Sequence, residues 1–182
     1  MSKKTCGWFT CVLLVSFLGL LPGISRAEAE RYTNPTLGIS FPLTEDMILF
    51  TAEDPGPFTF EATTKFFLIN KWKPSDLVML NLSAVRDEVD LDYLKSHLEK
   101  EGLPKSGYRK VAVQYTSIGE NPPKRAVEHI FDLQGQKLRT MRQVYFIHRG
   151  QGLILVCTAN ADRFQETNQK FFDPLLQSIR FE

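Results

Sequence analysis

Gly152-Leu-Ile-Leu-Val-Cys-Thr-Ala159 runs into Asn160-Ala-Asp-Arg-Phe-Gln-Glu-Thr-Asn-Gln-Lys-Phe-Phe172. The chain then closes with Asp173-Pro-Leu-Leu-Gln-Ser-Ile-Arg-Phe-Glu182. The first piece is apolar and rich in branched residues, long enough for one strand and too short for a helix. The second carries a helix pattern, with Asn160 as the expected N-cap. Phe164, Phe171, Leu175 and Ile179 make an apolar stripe that Asn168 interrupts. Pro174 has no amide hydrogen and cannot sit in an unbroken helix interior. Asp173-Pro174 therefore predicts a kink or restart, with Asp173 as a fresh N-cap. A buried strand with a helix laid over it predicts a sheet with helical cover.

Upstream, the pattern turns to strands. Arg125 to Leu133 and Lys137 to His148 are strand candidates joined by Gly135-Gln136, a tight-hairpin signal. Arg109 to Ile118 is a third, reached through the polar loop Gly119-Glu120-Asn121-Pro122-Pro123. Before these, Leu91, Leu94 and Leu98 share one helix face, with Asp90 as the expected N-cap and Gly102 and Pro104 as the stop. Leu77 to Val85 is nearly continuous in apolar residues and predicts a central strand covered on both faces. Lys65 to Trp72, Met47 to Phe50 and Ile39 to Phe41 are further strand candidates, as are Phe58 and Phe60 alternating with Thr59 and Glu61. The expected class is α+β, a central, mostly antiparallel β-sheet covered by helices.

Charged residues make up 24% and hydrophobic residues 43% of the 182, the balance of a globular domain. The formal charge of +1 offers no electrostatic case for nucleic acid. With 14 phenylalanines, a dense core needs neither disulfide nor metal.

The N-terminus reads as an export signal. Lys3 and Lys4 form a basic region, Val12 to Leu21 an apolar run ended by Pro22-Gly23, and Ser25-Arg26-Ala27 or Ala27-Glu28-Ala29 supplies small residues for cleavage. A spanning helix needs about 20 apolar residues, and this run is shorter. Residues 1–27 are expected to be a cleaved secretory signal peptide and residues 28–182 a single domain with no membrane span. Cleavage after Ala27 removes three cations and no acid, taking the charge from +1 to −2. Cys6 and Cys11 precede the apolar run and leave with it, so no lipid anchor is expected. Cys157 alone stays, which rules out an internal disulfide. The expected location is the periplasm or exterior of a bacterial envelope, with a lumenal compartment as the other option.

Tyr32 to Pro42 opens the mature part with Tyr-x-Asn and then Gly-Ile-Ser-Phe-Pro, and the chain ends on the strand, helix and Ser178-Ile179-Arg180-Phe181 quoted above. These segments resemble the PsbP-like family, named for an extrinsic subunit of the photosystem II oxygen-evolving complex. Bacterial exported relatives and a eukaryotic Ran-binding factor share its fold. The resemblance implies an antiparallel sheet between helices and a non-catalytic binding or assembly module. It brings no shared active site.

Catalytic motifs are missing: no glycine-rich phosphate loop, no Gly-x-Ser-x-Gly, no His-Glu-x-x-His. His129 alternates with Val127, Phe131 and Leu133, so it is expected inward and hydrogen-bonded. His148 is expected to face solvent at a strand end, and His97 to lie at the rim of the helix face. Cys157 shares a strand face with Leu153 and Leu155, the setting of a structural thiol rather than a nucleophile. Asp87, Glu88, Asp90 and Asp92 lack the glycine and closing glutamate of a Ca²⁺ loop and are expected to dress a helix N-terminus. No cofactor and no metal are expected. Arg139 and Arg142 fall on opposite strand faces and are expected to be solvated.

Lys65, Phe66, Lys71, Trp72 and Lys73 mix cations with aromatics and are the expected partner-binding residues, because interfaces are enriched in aromatics. The expected function is an exported, non-catalytic module that binds another envelope protein or assembles a complex. The alternative is a carrier of an apolar small molecule between sheet and helix. A cysteine- or metal-dependent hydrolase ranks below both.

Overall fold

The structure, a computed structural model, describes residues 30–101, 107–133 and 138–182. The expected leader, the helix stop at Gly102 and Pro104, and the Gly135-Gln136 hairpin lie outside the described residues. The class is α+β. In chain order the elements are β1 (Arg31–Asn34), β2 (Ile39–Pro42), β3 (Met47–Phe50), β4 (Thr64–Asn70), β5 (Lys73–Leu82) and α1 (Glu88–Glu101). Four long strands follow: β6 (Tyr108–Ile118), β7 (Lys124–Leu133), β8 (Arg139–His148) and β9 (Gln151–Asn160). The chain ends with α2 (Phe164–Thr167), a π-helical segment (Asn168–Phe172), α3 (Asp173–Ser178) and β10 (Arg180–Phe181).

Seven strands form one antiparallel sheet in the order β3-β4-β5-β9-β8-β7-β6. β1, β2 and β10 form a small second sheet. The main core lies between one face of the large sheet and a layer made of the small sheet and the C-terminal helices. Phe66, Leu80, Leu155 and Phe146 meet Phe41, Phe172 and Leu176 there. Burying one such side chain contributes about 1.5–3 kcal/mol. On the opposite face α1 lays Leu91 and Leu94 on Val127, Tyr145 and Ile147 of β7 and β8.

Strand position explains the burial patterns. β9 holds the middle of the sheet and its interior is buried on both faces, from Gly152 to Ala159. β5, one place out, alternates: Val78 and Leu80 are buried while Leu77 and Met79 stay half-buried. The cover expected on both faces of β5 is found instead on β9, while α1 packs mainly on β6, β7 and β8. Gly152 is where the chain after β5 comes closest; a Cβ there would collide with the Val85 carbonyl oxygen.

Phe58 and Phe60 are not in a strand. Pro55 and Pro57 break the ladder, and the loop folds back so that Phe58 stacks on Phe67 at 4.4 Å. The expected restart before Pro174 takes the form of a widened turn. Pro174 cannot donate toward residue 170, and the backbone absorbs the missing bond as a π-helical segment. Phe172 and Asp173 keep right-handed helical angles, so Asp173 is not an N-cap. Nor is Asn160, which ends β9; Arg163 precedes α2 and makes no side-chain cap.

Candidate functional site

The β4–β5 turn carries Lys71 and Trp72 out of the large sheet. Asn70 Oδ1 accepts the backbone N–H of Trp72 at 2.9 Å and of Lys73 at 3.1 Å, closing the turn. The segment before β3 clamps it from the side. The Asp46 carbonyl accepts the Lys71 N–H at 2.7 Å, and the Asp46 carboxylate accepts the indole N–H of Trp72 at 2.6 Å. The indole is 70% exposed. Lys71 Nζ lies 5.2 Å from its ring centroid, a cation–π distance. Trp72 is therefore an apolar group presented to solvent in a fixed orientation, the kind of anchor that costs little entropy to bind.

Beside the turn runs a cleft of about 340 Å³ lined by Asp46, Lys73, Asp76, Glu166, Lys170 and Phe171 among others. Glu166 on α2 accepts from Lys170 at 2.9 Å and lies 4.0 Å from Lys73. The Lys170 hydrogen bond and both ammonium charges hold its carboxyl below the usual range. On the floor Asp76 is buried, accepting from Arg163 Nη2 and Thr167 Oγ1 at 3.0 Å each. This pairing docks α2 onto β5.

Of the expected partner residues, the structure brings together Lys71, Trp72 and Lys73. Phe66 is a correction. It is 2% exposed, its ring 5.1 Å from Phe41, because the β4 alternation turns it into the main core opposite Leu80. Lys65 sits at the other end of β4, its ammonium on the Ala62 carbonyl at 3.1 Å, in a different cleft.

The remaining chemistry is structural. Cys157 is fully buried and burial pushes its thiol up to about 12, so no thiolate nucleophile forms at neutral pH. His129 is fully buried, as expected, with Gln143 opposite it on β8 as its nearest polar neighbour, but neither ring nitrogen meets hydrogen-bond geometry. Burial, with the Lys110 charge, pushes its pKa down. His148 is a second correction. It occupies an inward position of the β8 alternation, in register with Val144 and Phe146, and is buried with Nε2 3.0 Å from the Gly38 carbonyl.

Arg142 is a third correction. It does lie opposite in face to Arg139, but it is buried, bound to Glu128, Asp173 and Asn168. A guanidinium in that layer satisfies two carboxylates, and Gln114 donates to Glu128 at 2.8 Å. Arg142 shares the inward face of β8 with Val144 and Phe146, and the pair of acids that receives it there is brought together only by the fold.

The acidic cluster caps and anchors α1. Asp87 Oδ1 accepts the Asp90 N–H at 2.9 Å, so the cap is Asp87 and not Asp90. Arg125 bridges Glu88 and Asp92, and Tyr115 donates to Asp92 at 2.7 Å. Tyr93 and His97 stack on the outer side of the helix, their ring centroids 6.0 Å apart. Among the described residues no three His, Cys, Asp or Glu side chains gather as metal ligands, and no helix is long and apolar enough to cross a membrane. The layer between sheet and C-terminal helices, where an apolar cargo was expected in the alternative reading, is filled by Phe41, Phe66, Phe146 and Phe172, each under 2% or at 2% exposed.

No family model matches the sequence, and no curated protein matches it. Solved structures do match in three dimensions. Cyanobacterial PsbP from Synechocystis superposes with a TM-score of 0.58 at 13% identity, covering 91% of this chain and 99% of that one. LpqN of Mycobacterium tuberculosis, involved in cell envelope biogenesis, gives 0.51 at 13% identity over 85% and 87%. The Saccharomyces cerevisiae Ran-binding protein Mog1p gives 0.51 at 5% identity over 85% and 95%. At these identities the likeness is one of fold, and the fold is PsbP-like, as the terminal segments implied.

Proposed function

We propose that this PsbP-like chain is an exported, non-catalytic module that binds another protein of the cell envelope or helps assemble a complex, with Trp72 as its anchor. One observation carries the reading: an indole 70% exposed is nevertheless held in place, by Asp46 at its N–H and by the Asn70 turn at its backbone. A side chain kept exposed and oriented is what a binding hot spot requires. Among the described residues the one thiol is fully buried and the buried His129 lines neither cleft, which supports a non-catalytic role. Export rests on the leader-like residues 1–27, and the involvement of the similar LpqN in cell envelope biogenesis is in keeping with an envelope setting.

The test is quantitative co-purification from envelope extract with wild type and Trp72→Ala as matched baits. The reading requires at least one protein enriched by wild type and lost with the variant. Identical profiles from two equally folded baits would remove Trp72 as the anchor.

A further inference from the structure

A second cleft, at the end of β4 remote from Trp72, has a different chemistry. It measures about 600 Å³, within the range of small-molecule sites, and lies between β1, the segment after β3 and the start of β4. Tyr32, Glu53, Phe60, Glu61, Thr64 and Lys65 contribute to its lining.

Its charges are uncompensated. Beneath Trp72, Glu166 is neutralised by Lys170 and Lys73. Here neither Glu53 nor Glu61 has an ion-pair partner among the described residues. Lys65, the one cation in the lining, points its ammonium at the Ala62 carbonyl instead. A hydrogen bond from Thr51 keeps Glu53 below the usual carboxyl range, so it stays charged. Its charge is felt at the Tyr32 hydroxyl. That hydroxyl accepts from Asn34 Nδ2 at 3.2 Å, which leaves its own proton to donate elsewhere. Thr64 is only 9% exposed, and its hydroxyl makes no hydrogen bond among the described residues. The cleft thus presents two carboxylates without ion-pair partners, the Thr64 hydroxyl, and the rings of Tyr32 and Phe60.

Acceptors beside aromatic rings suit a cation with an apolar body. A bare metal ion would need its ligands gathered, and no three-ligand group exists among the described residues. An alkyl ammonium needs only separate acceptors, and its charge gains further from a nearby ring face. We propose that this cleft binds an aliphatic primary ammonium group, as carried by a polyamine or by a lysine side chain, between Glu53 and Glu61. The inference is independent of Trp72 and its partner.

Spermidine and N-acetyl-lysine methylamide are the probes, read by amide chemical-shift changes on the full chain, with magnesium chloride at matched ionic strength as the control. The expected result is saturable shifts at Tyr32, Glu53, Glu61 and Thr64 with one probe or both. Losing a charge-assisted bond weakens binding about tenfold or more, so Glu53→Gln and Glu61→Gln should each do so and the double variant should abolish saturation. Saturation by spermidine alone assigns a free polyamine, and saturation by the lysine amide a protein side chain. Linear shifts with both probes, equal shifts with magnesium, or a double variant that binds like wild type would overturn the proposal. Both glutamates are exposed and unpaired, so the variants keep the fold, which their remaining spectra report.

Discussion

The indole N–H of Trp72 donates to the Asp46 carboxylate at 2.6 Å, across 26 residues of chain. Two exposed residues joined this way add little to stability; a hydrogen bond of this kind is worth about 0.5–1.5 kcal/mol and less where water competes. Its effect is on orientation. Asp46→Ala is expected to leave the unfolding midpoint nearly unchanged and to lower the Trp72 fluorescence anisotropy on the nanosecond scale. An unchanged anisotropy would mean that the Asn70 turn alone holds the ring.

Phe66 and Trp72 separate the two meanings of an aromatic in this stretch. Trp72→Ala is expected to cost no more than about 0.5 kcal/mol, as surface changes do. Phe66→Ala removes a ring packed on Tyr32 and Phe41 at 5.6 and 5.1 Å, and should cost about 3–5 kcal/mol. Urea unfolding of both variants checks the contrast. Equal costs would contradict the β4 alternation.

That contrast also shows what was legible. Period-two patterns found the long strands, and the leucine spacing found α1, because both report burial on one face. The PsbP-like fold followed from them and from the terminal segments. His148 was readable by the same alternation, since Val144, Phe146 and His148 share a face, but a strand end beside Arg149 suggested water. The Phe58–Phe60 segment failed because alternation survives in a loop that packs its rings on Phe67. The cleft beside Trp72 was out of reach: Asp46, Lys73 and Glu166 meet only through tertiary folding, and no local pattern links them.

Arg142 offers a sharper energetic test. It binds Glu128 and Asp173 in a layer where its own side chain is 9% and that of Glu128 3% exposed. Removing one partner of a buried pair strands the other charge, at a cost of about 3–5 kcal/mol. Arg142→Met is expected to lose that much, and Arg142→Met with Glu128→Leu to recover most of it. Guanidinium unfolding of the single and double variants measures the coupling. Additive losses would show that the pair does not interact.

His129 sets a pH dependence whose sign follows from its burial. Its pKa in the fold lies below the ordinary imidazole value of about 6.5, because burial and then the Lys110 charge disfavour the imidazolium. The unfolded chain therefore takes up the proton first. The stability from a neutral His129 is complete above about pH 6.5 and is lost as pH falls below it toward the folded value, with a limiting slope of about 1.4 kcal/mol per pH unit per proton. His148 is depressed too, by burial and then by the Lys124 charge, and adds in the same direction. His129→Gln should flatten the decline without removing it. A variant with the wild-type slope would assign the effect elsewhere.

Cys157 gives the last expectation, one about access rather than energy. The thiol is fully buried in β9 and burial raises it to about 12, although Arg142 nearby pulls the other way. At pH 8 almost no thiolate exists in the fold, and no reagent reaches it there. Modification by a disulfide reagent must then wait for the sheet to open, so its rate should follow the equilibrium of unfolding across a denaturant series. Cys157→Ser buries a hydroxyl in place of the thiol and should cost about 1–3 kcal/mol, speeding the labelling of any reporter cysteine placed elsewhere on the strand. Fast labelling of the native protein at pH 8, independent of denaturant, would show a local opening of β9 that its central place in the sheet does not provide for.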